Sequence, residues 1–304
     1  MTFWPDFNIF TDRMPHPDSP FDAAGTVTET PFTVRNSSGD GIAGDLRYAP
    51  GGRSLPLLIV CHGFTAHKDW GPFPSFGRGF AHLGFASIVF NFSHNGVAPG
   101  ERRFTELEKF SRNTIGREIG DVGAIVDAVT ERRVGQGVID PSRIGIVGHS
   151  RGGGVAILAA SLDARLRGVA AWGTVSTFER YTPRQREAWE RDGFLPVTVR
   201  GMRTRLRFSL EVLRDIESHR EEYDLHRAVR RLGVPLLLVH GAADVSVKPA
   251  EVESLYAAAD RSRTELVMIE GTGHAFGAKH PYRHAAPMVD HVIALTSRWF
   301  HMFL

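Results

Sequence analysis

Arg143-Ile144-Gly145-Ile146-Val147 runs directly into Gly148-His149-Ser150-Arg151-Gly152, and Val155-Ala156-Ile157-Leu158-Ala159-Ala160 follows. This order reads as a buried strand, a sharp turn and a helix, with a serine at the apex of the turn. So tight a turn forces the serine into a strained backbone conformation. Only small residues two before and two after it let the strand and helix approach. The Ser150 hydroxyl is then expected to stand exposed at the carboxyl end of a sheet.

A serine hydroxyl is a weak nucleophile at neutral pH and needs a base, which in turn needs a third group to orient it. Both are available downstream. Pro235-Leu236-Leu237-Leu238-Val239 reads as a buried strand leading into His240-Gly241-Ala242-Ala243-Asp244. Thr264-Glu265-Leu266-Val267-Met268-Ile269 reads as the next strand and leads into Gly271-Thr272-Gly273-His274. Ser150, Asp244 and His274 thus leave strand ends in the chain order of the α/β-hydrolase arrangement. Taken alone, Asp244 reads equally as a cap for the helical run Ala250 to Ala259, and His274 as an ordinary loop histidine. Their joint order behind the Ser150 turn favours a catalytic triad. Leu57-Leu58-Ile59-Val60-Cys61-His62-Gly63-Phe64 reads as a strand ending in a His-Gly turn. The main-chain N–H groups of Phe64 and Arg151 are therefore the expected oxyanion donors. His62 reads as a structural histidine beneath that turn, since His274 already holds the base role.

His62-Gly63-Phe64, Gly148-His149-Ser150-Arg151-Gly152-Gly153, His240-Gly241-Ala242-Ala243-Asp244 and Gly273-His274 together resemble the α/β-hydrolase superfamily. The likeness is nearer to its dienelactone hydrolase, prolyl-oligopeptidase-like and bacterial cinnamoyl (feruloyl) esterase branches than to its lipases, and it covers residues 31 to 300. The run from His62 to Asp69 is similar to the oxyanion loop of those esterases. The resemblance implies a serine esterase with Ser150, Asp244 and His274 as its triad. There are two departures. Asn91-Phe92-Ser93-His94-Asn95-Gly96 replaces the common Asp-x-Arg-Gly-x-Gly, and residues 174–231 match no known lid. Both regions are expected to border the acyl and alcohol pockets.

Composition narrows the partners. The 304 residues are 42% hydrophobic and 23% charged, ordinary for one large globular core. The net charge of +2 is too small to argue for nucleic acid, although only Lys68, Lys109, Lys248 and Lys279 among the 36 cations are not arginine. Cys61, the single cysteine, excludes an intrachain disulfide and reads as core filler. The 14 histidines lack metal-ligand spacing, so neither metal nor cofactor is expected. No secretory pattern opens the chain and no apolar run is long enough to span a bilayer, which leads to the expectation of a cytoplasmic protein.

Along the chain, residues 1–30 read as an extended arm able to pack on the body or on a second subunit, so a homo-oligomer is a possible state. A hairpin is expected near residues 31–48, after which strands and helices alternate, requiring crossovers and a mostly parallel sheet. Ile115, Ile119, Val122, Ile125, Val126 and Val129 form one face of a helix over residues 113–132. Glu118 and Asp121 fall off that stripe and read as surface charges or as charges behind the site. Residues 31–173 and 232–304 form the expected α/β-hydrolase core. Residues 174–231, too long for a structureless loop, are read as an inserted lid with helices over residues 179–192 and 204–218.

The expected function is a serine carboxylic ester hydrolase working through an acyl-enzyme. Phe64, Trp70, Phe73, Phe92, Trp172 and Trp189 point to a small or medium, apolar or aromatic acyl group. A thioesterase, an acyltransferase or a small peptidase would share the triad. A non-catalytic binding protein on the same fold is the alternative from another class.

Overall fold

The computed structural model describes residues 27–199, 205–280, 282 and 286–304. Strands β1 (Thr28–Arg35) and β2 (Gly41–Tyr48) pair antiparallel. They are joined by a turn in which Asn36 Oδ1 accepts from the N–H groups of Ser38 (3.1 Å) and Asp40 (2.9 Å). β1 opens at Thr28, inside the stretch read as an arm, because Thr28–Thr30 already pair with Tyr48, Arg47 and Leu46. The rest of that arm lies outside the described residues.

Alternation then sets in: β3 (Leu55–Cys61), α1 (Phe73–His82), β4 (Ala86–Phe90), α2 (Leu107–Ser111), α3 (Ile115–Thr130), β5 (Ile139–His149), α4 (Arg151–Leu162) and β6 (Leu166–Trp172). An insertion follows, with α5 (Pro183–Asp192), β7 (Phe194–Val197), β8 (Leu206–Ser209), α6 (Leu210–Ser218) and α7 (Leu225–Arg231). The chain closes with β9 (Leu236–Gly241), α8 (Pro249–Ala258), β10 (Thr264–Ile269) and α9 (Pro287–Phe300).

Eight strands form one sheet in the order β1-β2-β4-β3-β5-β6-β9-β10, antiparallel only where β2 meets β1 and β4. Side chains alternate across it with the two-residue period of a strand. Leu57, Ile59 and Cys61 of β3 enter one core together with α3, α4, α7 and α8, while Leu58 and Val60 enter the other with α1 and α9. Cys61 is fully buried, and that burial pushes its thiol well above the usual range, as suits core filler. Among the described residues no helix is long and apolar enough to cross a membrane.

The insertion departs from the expected pair of helices. The apolar alternation of Leu206 and Phe208 belongs to β8, which pairs with β7, and α6 starts only at Leu210. Four strand residues ahead of a short amphipathic helix mimic a longer helical stripe, and pairing with β7 overrides it. Glu118 and Asp121 are also not surface charges. Glu118 is 3% exposed and Asp121 0%, the first accepting from Asn113 and Arg151 and the second from Asn36 and the Ser93 N–H.

Strand order reverses around β3, with β4 on one side and β5 on the other. In an open α/β sheet, the crevice at the carboxyl ends beside such a reversal is where ligands bind. Cys61 pairs with Gly148, His149 with Trp172, Trp172 with Val239, and Gly241 with Ile269. Five strands therefore end level, and the loops that follow share one rim.

Candidate active site

Ser150 sits between β5 and α4 with φ 58° and ψ −120°, the left-handed backbone that non-glycine residues adopt only under constraint. Its N–H donates to the Trp172 carbonyl at 2.8 Å, which ties the turn to the neighbouring strand. The flanking glycines are required by close approach. A Cβ on Gly148 would run into the Gly152 backbone, and one on Gly152 into the carbonyls of His62 and Cys61. The turn after β3 is equally close, since a Cβ on Gly63 would lie 3.2 Å from Ser150 Cβ.

Asp244 and His274 come together from the loops after β9 and β10. His274 Nδ1 lies 2.7 Å from Asp244 Oδ2. The Asp244 side chain is fully buried, and its Oδ1 accepts from the N–H groups of Ser246 (2.8 Å) and Val247 (3.0 Å). Burial alone would disfavour the carboxylate. The His274 hydrogen bond and the Val247 and Ser246 N–H groups outweigh it and hold the carboxyl below its usual range. His240 Nε2 lies 3.4 Å from the same Oδ2, at the base of the loop.

Two further histidines brace the rim. His149 donates from Nε2 to the His274 carbonyl at 2.8 Å, and its ring lies 4.7 Å from the His274 ring. Buried His62 donates from Nδ1 to the Gly63 carbonyl at 2.9 Å, and its Nε2 faces the Phe92 N–H and the Asn95 amide at 3.4 Å. Burial holds both rings neutral, each pushed down to about 3, and takes His67 to about 4. Burial raises Asp121 to about 6.

These shifts have opposite signs in stability. The lowered histidines contribute above about pH 6.5, and that contribution is lost as pH falls toward 4, because the unfolded chain then binds protons the folded one refuses. Asp121 works the other way, and its contribution fades as pH rises through 6. With three groups against one, stability is expected to fall on acidification from pH 6.5 to 4.5, by on the order of 2 kcal/mol per pH unit. Urea midpoints across that range measure it, and a flat or rising profile would show that these rings ionise freely.

Ser150, His274, Phe64 and Arg151 line one cleft of about 170 Å³ together with Val175, Phe178, Arg180, Tyr181, Ile216, Ser246 and Val247. Asp244 lies behind it. Among the described residues, the main-chain N–H groups of Phe64 and Arg151 meet no acceptor. That of Arg151 opens α4, where helix geometry supplies no partner. A larger hollow of about 640 Å³ beside α3 and α6 contains none of these residues.

The expected aromatic lining is mostly core. Phe73, Phe92, Trp172 and Trp189 are buried away from the cleft, Trp70 stacks on His280 at 5.2 Å, and of the six only Phe64 lines it. The Asn91–Gly96 loop does not border it either. That loop is buried beneath the His62 turn, with Ser93 N–H donating to Asp121 at 2.7 Å. The lining from the insertion was not legible in sequence: Val175, Phe178, Arg180 and Tyr181 lie in an irregular segment without periodicity, and the apolar stripe of α6 that carries Ile216 does not say which neighbour it faces.

The model of the alpha/beta hydrolase family matches residues 58–290. The chain belongs to the alpha/beta hydrolase family. Among curated proteins, this hydrolase is similar to an uncharacterized 31.7 kDa protein of the traX-finO intergenic region of Escherichia coli, at 32% identity over 128 residues. That match covers 42% of this chain and 40% of the relative, so it spans less than half of either. Among solved structures, the esterase domain of a Rhodothermus marinus protein aligns with a TM-score of 0.63 at 17% identity, covering 91% of this chain and 99% of that one. Est1E of Butyrivibrio proteoclasticus, solved with ferulic acid bound, aligns with a TM-score of 0.65 at 17% identity, covering 89% and 99%. At that identity these neighbours show the fold.

Proposed function

We propose that the protein is a serine carboxylic ester hydrolase whose triad is Ser150, Asp244 and His274. One observation carries the reading: Ser150, on its positive-φ turn, and His274, 2.7 Å from a buried Asp244, line the same cleft. Ser150 Oγ attacks the ester carbonyl while His274 Nε2 takes its proton. Asp244 accepts from Nδ1 and so keeps Nε2 free to act as the base. The N–H groups of Phe64 and Arg151 stabilise the oxyanion. His274 then protonates the leaving alcohol, and water repeats the sequence on the acyl-enzyme.

Residues 174–231 act as a lid in this reading, supported by the five side chains they contribute to the cleft wall. Val175, Phe178, Tyr181, Ile216 and Phe64 favour an apolar or aromatic acyl group, and a volume of about 170 Å³ favours a small one. Rates on p-nitrophenyl esters from acetate to decanoate, with methyl ferulate alongside, test this. Turnover is expected to peak at short to medium chains and to fall steeply toward decanoate. A folded protein that turns over none of these esters would overturn the assignment.

A further inference from the structure

The ionic side chains lining the cleft are Arg151 and Arg180, and among the described residues no carboxylate lines it. The acidic partners of both arginines sit outside the lining. Arg151 Nε donates to Glu118 Oε2 at 2.9 Å, and Arg180 donates to both Glu251 oxygens at 2.6 and 3.1 Å. Each guanidinium is thus matched by a carboxylate, and what the cleft can offer an anion is whatever N–H donors those pairs leave free.

Arg151 is placed for more than an ion pair. Its guanidinium carbon lies 5.9 Å from the ring centroids of both Phe64 and Phe208, within cation–π range of each. It reaches Glu118 through Nε alone, while Glu118 Oε1 accepts from the Asn113 amide at 2.8 Å. Nη2 donates to the Asn113 carbonyl at 3.1 Å. Nη1 meets no acceptor among the described residues, on a side chain that is only 11% exposed and lines the cleft. An arginine held this way keeps the N–H groups of Nη1 to donate to a carboxylate.

We propose that this wall binds an anionic substituent of the substrate, so that the preferred ester carries a carboxylate, with Arg151 as the specificity-determining residue. The inference rests on the serine hydrolase reading of the same cleft. It narrows the substrate class to esters with an apolar stem and an acidic end.

Methyl hydrogen adipate and methyl hexanoate differ in that end, and the hexanoate ester of glycolic acid carries the charge on the alcohol side instead. The wild type is expected to favour one charged ester over methyl hexanoate by about tenfold in kcat/KM at low salt, the worth of one charge-assisted hydrogen bond. That preference is expected to shrink at high salt and to vanish in a Glu118→Gln/Arg151→Met double variant. The double variant avoids leaving Glu118 as an unpaired buried charge. A ratio of one in the wild type, or a ratio unchanged in the double variant, overturns the proposal. If Ser150→Ala still abolishes hydrolysis of the neutral ester, the hydrolase reading survives that failure. If the folded wild type hydrolyses none of the three, the hydrolase reading fails, and calorimetric titration with adipate decides the anion site. Binding lost in the double variant supports the site, and no binding to wild type overturns it.

Discussion

Replacing Ser150 with alanine is expected to lower kcat for ester hydrolysis by about 10⁶-fold while leaving the fold intact. In the proposed mechanism the loss is large because the nucleophile and base act as a unit, and His274 would have no other hydroxyl to activate at the apex of the turn. The fold is expected to survive because the Ser150 side chain makes no capping hydrogen bond to α4. Alanine also tolerates the positive φ no worse than serine does, so the strain already present is unchanged. Residual turnover above the water rate would come from the oxyanion donors and binding alone. Initial rates on a short p-nitrophenyl ester, with thermal melts of both proteins, measure the two halves of this expectation. A variant that retains a tenth of the activity would move the nucleophile elsewhere.

Asp244→Asn is expected to cost about 10⁴-fold in kcat, with a small change in KM. The substitution is isosteric, and an asparagine Oδ1 still accepts from the N–H groups of Ser246 and Val247, so the loop keeps its shape. What changes is the atom facing His274 Nδ1 across 2.7 Å. An amide NH₂ donates where the carboxylate accepted. The imidazole must then carry its proton on Nε2, where it cannot accept one from Ser150. The lost carboxylate also leaves the imidazolium of the transition state without a counter-charge. Activity within tenfold of wild type, measured over a pH series on the same ester, would remove Asp244 from the mechanism.

The sequence reading was strongest where the physics is local. The apolar run before Gly148 and the helical run after Gly154 lie next to Ser150 in the chain, so the turn between them needed no tertiary information. The parallel sheet followed from alternation, because a crossover is the only way to join neighbouring parallel strands. It was weakest where one pattern serves two structures. Leu206 and Phe208 fit a helical stripe and a strand face alike, and pairing with β7 decided the matter. Large aromatics such as Trp172 and Trp189 signal burial in either a core or a pocket, and here they fill the core.

The sequence by itself determined the family, the sheet, and the residues proposed as nucleophile, acid and base, since each of these rests on short runs in which neighbours in the chain are neighbours in space. Only the tertiary structure decided what the cleft is made of. Its walls come from Val175, Phe178, Arg180, Tyr181, Ile216, Ser246 and Val247, and the partner of Arg151 comes from α3, more than thirty residues earlier in the chain. Side chains so far apart in sequence meet only through the packing of whole elements. The character of the cleft, apolar on its walls and positive among its charged groups, is therefore a property of the fold that no local pattern carries.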